Sequence, residues 1–188
     1  MSRVAVAAAS QIAADAGVEA GRLGGNAVDA AIAASFVSLT TDPGIVALGG
    51  GSYVTVSEPD GTTIVIDGYV EMPGRSAAPE AVGAAIEQVH LAYGGGITTG
   101  IGYGSVATPG SVAAFGLASE RFGALEWPAL VEPARAIAAT GFELPAAAAE
   151  YLVDAGRPIY GWHPESRAAL LRPDGSPHRK GDRVHCPG

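Results

Sequence analysis

The chain has 188 residues, 48% of them hydrophobic but only 6% aromatic, and a formal net charge of −8. That length can bury one sizeable core, and the acidic balance argues against nucleic acid as a partner. The single cysteine, Cys186, excludes an internal disulfide framework, and no run reaches the roughly 18 apolar residues a membrane-spanning helix needs.

Met1-Ser2-Arg3 ahead of residues 4–9 has the outline of a charged and an apolar secretory region, but Gln11 and Asp15 interrupt it. The pattern continues as an amphipathic helix, so the expectation is a helix over residues 3–20 in a cytoplasmic protein. Gly21, then Gly24-Gly25, end it. The next string, L-G-G-N-A-V-D-A-A-I-A-A-S over 23–35, is the most distinctive in the chain. Asn26 is a good N-cap, and Asp29 sits where a carboxylate favours a helix start. Ala27, Ala30, Ala31, Ala33 and Ala34 then predict a helix over 27–38 that neighbours can approach closely on every side. Pro43 keeps Asp42 out of the helix, and a loop follows.

Residues 53–56 and 63–66 are rich in β-formers and predict a hairpin turned at Asp60-Gly61. Gly49-Gly50-Gly51 let backbones pack closely at the entry to its first strand. Residues 80–93, after Pro79, read as a helix, and 94–104 as a glycine-rich loop. Helices follow over 111–122, behind Thr108-Pro109-Gly110-Ser111, and over 127–140, stopped by Gly141. Another spans 145–154, stopped by Gly156, and a short one opens at His163-Pro164 and runs to Leu171. Residues 172–188 are turn-rich. With no repeat and no domain-separating linker, residues 1–188 read as a single incomplete domain of the α+β class, helices on an antiparallel sheet. Two strands alone are a marginal sheet. Further strands must complete it, and the apolar face left open predicts an oligomer.

Several strings occur in an order that resembles the gamma-glutamyltransferases. They are residues 23–35, Gly49-Gly50-Gly51 leading into the hairpin, and Val106-Ala107-Thr108-Pro109-Gly110-Ser111-Val112. Glu120-Arg121-Phe122-Gly123 with Trp127, Glu132-Pro133-Ala134, and Ala139-Thr140-Gly141-Phe142 extend the match over most of residues 5–145. The surroundings of Gly181-Asp182-Arg183 are also similar. The resemblance implies an N-terminal nucleophile hydrolase fold, an αββα layered sandwich present here only as its N-terminal portion. It implies a precursor that cuts itself in two, so that a C-terminal small subunit begins with a catalytic threonine. The hydroxyl of that threonine attacks, and its free amine takes the proton. This chain resembles the front part of the large subunit, so its catalytic residues are none. The implied partners are the C-terminal small subunit and a small-molecule gamma-glutamyl-type amide, with no metal and no organic cofactor.

After the second strand, the family places an arginine that grips the substrate's α-carboxylate. Here the run is Ile66-Asp67-Gly68-Tyr69-Val70-Glu71-Met72-Pro73-Gly74-Arg75, in which Tyr69 or Val70 stands in for it, depending on where a one-residue gap is placed. Neither makes a bidentate pair with a carboxylate. Arg75 reaches the same place by another route, or is a solvated loop cation. Arg75, Tyr69 and Glu71 are the candidate substrate-binding residues; Asp67 and Glu71 either line a cleft or form a solvated pair.

Other motifs have plainer readings. Residues 100–104 lack the Lys-Ser/Thr of a phosphate loop. His163, His178, His185 and Cys186 match no zinc spacing. His90, near the end of its predicted helix, faces the helix C-terminus or solvent. Thr40-Thr41 falls in a helix-end loop and Thr62-Thr63 in a strand, and Thr98-Thr99 likewise lacks the context of a processing site. The leading expectation is a gamma-glutamyltransferase-like enzyme whose nucleophile lies elsewhere. A noncatalytic remnant that only packs against a partner chain is the alternative.

Overall fold

The computed structural model describes residues 4–75 and 85–185. Helix α1, Gln11–Arg22, buries Ala13, Ala16, Gly17, Ala20 and Gly21, the one-face spacing of an amphipathic helix. Helix α2, Ala27–Thr41, lies against it and is buried on more than one side. Gly17 is a point of close approach, because a Cβ there would lie 2.7 Å from the Ala30 carbonyl oxygen. The helix expected over 3–20 therefore starts later. Residues 4–8 are irregular, and Val4 and Val6 pack on the glycine face of α1, with Val6 Cγ1 3.0 Å from a Cβ position at Gly17. Two β-branched side chains gain more by filling that groove than by adding turns to α1.

Asn26 caps α2 reciprocally with Asp29. Its Oδ1 accepts from Val28 N–H at 2.8 Å and Asp29 N–H at 3.2 Å, while Asp29 Oδ2 accepts from Asn26 N–H at 2.8 Å. The helix runs past residue 38 to Thr41, where the Thr40 and Thr41 hydroxyls donate to the Phe36 and Val37 carbonyls.

Strands β1, Ser52–Ser57, and β2, Thr63–Gly68, form the expected antiparallel hairpin, with Ser52 opposite Gly68 and Ser57 opposite Thr63. Gly61, at φ 89°, takes the left-handed turn position, and Asp60 Oδ1 accepts from Thr62 N–H at 2.8 Å. One face of the hairpin packs on α3, Ser111–Phe122, and the other carries exposed Tyr53 and Val65.

The helix expected over 80–93 is not formed in its described part, and residues 80–84 lie outside the described residues. Instead β3, Glu87–Leu91, pairs antiparallel with β4, Ile97–Ile101, inside the segment expected to be a glycine-rich loop. Gly94, Gly95 and Gly96 have φ values of 64°, 90° and 104°, which lets the chain reverse tightly. The β-branched run Ile97-Thr98-Thr99 then pairs back. Non-local pairing outcompetes the local helical preference of Glu87 and Gln88.

Helices α3 and α4, Trp127–Thr140, form as expected. Helix α5, Ala146–Tyr160, passes through Gly156 instead of stopping at residue 154. That glycine is a packing site, since a Cβ would stand 3.1 Å from Leu171 Cδ2. Helix α6 is Pro164–Leu170. The turn-rich tail contributes β6, Arg183–Val184, which pairs with β5, Phe142–Glu143.

The main core joins α1, α2, α3, α4 and β2 through Ile32, Phe36, Val37, Ile66, Phe115 and Leu130. Phe36 stands edge-on to Phe115 at 5.4 Å and to Trp127 at 5.3 Å, the arrangement aromatic quadrupoles favour. A second core gathers Phe142, Leu144, Leu152 and Val184. Each large side chain fully buried there contributes about 1.5–3 kcal/mol. Among the described residues the sheets are two-stranded.

Candidate functional site

The site lies where β2 ends against the start of α3. Gly68 and Gly110 bring the two backbones together. A Cβ at Gly68 would lie 2.8 Å from the Gly110 oxygen, and one at Gly110 would lie 2.7 Å from the Tyr69 oxygen. On the other side, a Cβ at Gly51 would meet Val70 N at 2.6 Å. The Gly50 carbonyl accepts from Ser111 N–H at 3.2 Å and from the Ser111 hydroxyl at 3.0 Å. The triple-glycine entry thus serves as close packing at Gly50 and Gly51, whereas a Cβ at Gly49 would meet nothing within 4 Å.

Beyond β2 the chain is held at two points. Asp67 Oδ1 accepts from Tyr69 N–H at 2.9 Å, turning the backbone after the strand. Glu71 and Thr108 exchange backbone hydrogen bonds of 3.1 and 2.8 Å. Between these fixed points opens a cleft of about 550 Å³, floored by Ile66, Gly68, Pro109 and Ala114 and rimmed by Tyr53, Tyr69, Asp67 and Glu71.

Of the three sequence-predicted residues, Tyr69 and Glu71 line this cleft and Arg75 lies beyond its lining. Tyr69 is 58% exposed, and Glu71 receives a charge-assisted hydrogen bond from Arg75 Nη2 at 2.6 Å. The Arg75 and Glu71 side chains are 78% and 60% exposed, so the pair is a surface ion pair with modest stabilising effect. Asp67 and Glu71 both line the cleft. Tyr53, which sequence reasoning missed, stacks on Tyr69 with ring centroids 5.6 Å apart and planes 14° from parallel. The signal was in the hairpin register, which sets Tyr53 opposite Asp67 and hence diagonal to Tyr69.

A larger cavity, about 740 Å³, opens along α2, between its alanine face, Gly50, Ser52 and Tyr160. Apart from Tyr160 it is lined by no ionisable side chain, and burial pushes the Tyr160 hydroxyl up to about 12, with Tyr151 adding to the shift. Neutral hydroxyls and methyl groups make it a packing seam, and the chemistry-bearing groups lie at the β2 cleft.

The threonine pairs are otherwise engaged. Thr40 and Thr41 donate back into α2, and Thr63 meets the Ser57 hydroxyl at 3.3 Å. His90 lies on β3, where its Nδ1 is 3.3 Å from the Thr98 hydroxyl in an exposed cross-strand pair. His163 packs against Trp162, and His178 Nδ1 is 3.4 Å from Asp182. Among the described residues, no three His, Cys, Asp or Glu side chains gather as metal ligands, and Cys186 lies outside them.

The family described as Gamma-glutamyltranspeptidase matches residues 13–188. The glutathione hydrolase proenzyme of Escherichia coli (strain K12) is 32% identical over 179 residues, 95% of this chain and 30% of that protein. The gamma-glutamyltranspeptidase of Pseudomonas nitroreducens, solved with L-DON, superposes with a TM-score of 0.73 at 27% identity, covering 98% of this chain and 51% of that one. That of Helicobacter pylori superposes with a TM-score of 0.77 at 21% identity, over 98% and 51% of the two chains. This chain therefore spans about 30% of its curated relative and about half of the solved chains. Its α+β elements are the N-terminal portion of an N-terminal nucleophile hydrolase sandwich. By sequence and by fold, the chain belongs to the gamma-glutamyltranspeptidase family.

Proposed function

We propose that this chain is the scaffold and one substrate wall of a gamma-glutamyltransferase-like enzyme that hydrolyses or transfers the acyl group of gamma-glutamyl or related amides. The nucleophilic threonine comes from a C-terminal portion, the small subunit, which packs against this chain. The observation that carries the reading is the cleft at the end of β2, set in a chain of this family. Tyr69 and Glu71 line the cleft that receives the acyl group, and Arg75, bonded to Glu71 outside that lining, borders it. The reaction balances without a cofactor. The threonine oxygen bonds to the amide carbonyl carbon, the C–N bond breaks, and the amine leaves with the proton the N-terminal amine had taken. Water or an acceptor amine then releases the acyl group.

The full-length protein, offered a gamma-glutamyl anilide and an uncharged acyl anilide, should release aniline from at least one. Hydroxylamine should divert the acyl group to a hydroxamate. The 188-residue chain alone should release none; activity there would mean that the nucleophile lies within it. A correctly cleaved full-length protein that releases neither aniline would instead support a noncatalytic scaffold, the reading favoured by an Arg75 already paired with Glu71.

A further inference from the structure

We propose, on the reading just given, that the stacked Tyr53 and Tyr69 rings form an acyl-group subsite that selects an uncharged aryl-alkyl acyl group, of the phenylacetyl class, over the charged head of a gamma-glutamyl group. The two rings are 60% and 58% exposed and nearly parallel, and both border the cleft. They form a platform whose free faces accept a third ring by offset stacking. The platform is held in place. The backbone at Tyr53 is fixed by the β1–β2 register and that at Tyr69 by the Asp67 cap and the Glu71–Thr108 bridge that follows it, and the rings hold each other by stacking. A ring docking there loses little freedom to order its receptor, which is the gain from preorganisation. Beside the platform, toward α3, the cleft is lined by apolar Ile66, Pro109, Ala114 and Leu117.

Charge points the same way. The cleft is lined by the carboxylates of Asp67 and Glu71, and Arg75 is bonded to Glu71 at 2.6 Å. These three groups sum to one negative charge. A gamma-glutamyl head entering this rim can set its α-ammonium on these carboxylates, but its α-carboxylate finds no lysine or arginine among the described residues of the cleft lining, whereas a neutral ring meets two aromatic faces and needs no cation.

The test uses the full-length, processed protein. Phenylacetyl and gamma-glutamyl p-nitroanilides are compared by kcat/KM, and phenylacetamide binding is measured by calorimetry. The expected result is a preference of about tenfold or more for the phenylacetyl substrate. Tyr53→Ala and Tyr69→Ala should each raise its KM about tenfold while leaving kcat within about twofold. Tyr69→Phe, which keeps the ring, should restore binding, and Tyr103→Ala, an exposed tyrosine outside the cleft, should change nothing. A preference for the gamma-glutamyl anilide, indifferent to both tyrosines, overturns the subsite but leaves the acyl-transfer reading intact. Ring-dependent phenylacetamide binding without turnover of any anilide supports the subsite and overturns the acyl-transfer reading. If the alanine variants only impair folding or processing, and Tyr69→Phe does so equally, the tyrosines are packing residues and the subsite is overturned.

Discussion

Asp29 shows how much one side chain can hold. It is fully buried, and its two oxygens accept from the backbone N–H groups of Asn26, Ala124 and Leu125 at 2.8–3.2 Å. Asn26 Nδ2 adds a bond to the Phe122 carbonyl at 2.7 Å. Together they clamp the start of α2 to the end of α3, which begins at the cleft. Asp29→Ala should cost about 2–3 kcal/mol, because it removes charge-assisted bonds from three part-buried donors. Chemical denaturation of the full-length protein measures this, and a loss under about 1 kcal/mol would reduce Asp29 to an ordinary cap. Asp42 is the opposite case. It is buried, its carboxylate oxygens make no hydrogen bond among the described residues, and burial raises its pKa. A carboxyl with a raised folded pKa binds its proton more tightly when folded. Its contribution to stability therefore falls as pH rises from the ordinary value of 3.8 through the raised one. Asp42→Asn should raise Tm at pH 7, with the gap closing as the pH falls below that ordinary value. A gap independent of pH would mean that Asp42 is not the titrating group.

Among the elements, the junction of β2 and α3 depends on glycines that differ in what they do. Gly68 has no room for a methyl group, so Gly68→Ala must push α3 away and should cost about 1–3 kcal/mol. In the full-length enzyme the same shift should raise KM through the widened cleft. Gly116, inside α3, has open space where a Cβ would go. Gly116→Ala should therefore stabilise by about 0.5–1 kcal/mol by restricting the unfolded chain. Thermal melts of both variants separate the two roles; a Gly68→Ala melt no lower than that of the parent would show that the close approach to Gly110 is not limiting. The β3–β4 hairpin carries a different lesson. Residues 87–91 read locally as helix because their alternation is short and polar, and only pairing with Ile97–Ile101 makes them a strand. Gly156 misled for a related reason, since a glycine that admits a neighbour's side chain looks in sequence like one that ends a helix.

At the scale of the whole molecule, the helices assemble two cores, yet the strands remain in pairs among the described residues. The exposed hairpin face at Val65, beyond the tyrosine platform, and an open seam beside α2 are surfaces that the small-subunit portion should cover. The isolated 188-residue chain should accordingly self-associate on gel filtration, and co-expression with the C-terminal portion should abolish that. A monodisperse monomer without its partner would show that the open face needs no cover.

Sequence by itself determined the helical scaffold, the hairpin turn, the cap at Asn26 and the family, since these rest on local patterns: periodicity, capping chemistry, turn residues and ordered strings. It also brought Tyr69, Glu71 and Arg75 forward as one segment. Only the tertiary structure decided that Asp29 reaches across to residues 124 and 125, that Arg75 pairs with Glu71, and that Tyr53 completes the rim. Tyr53 and Tyr69 are brought together by a strand register, and Asp29 and Ala124 by the packing of two helices, so neither contact leaves a signal in the spacing of neighbouring residues.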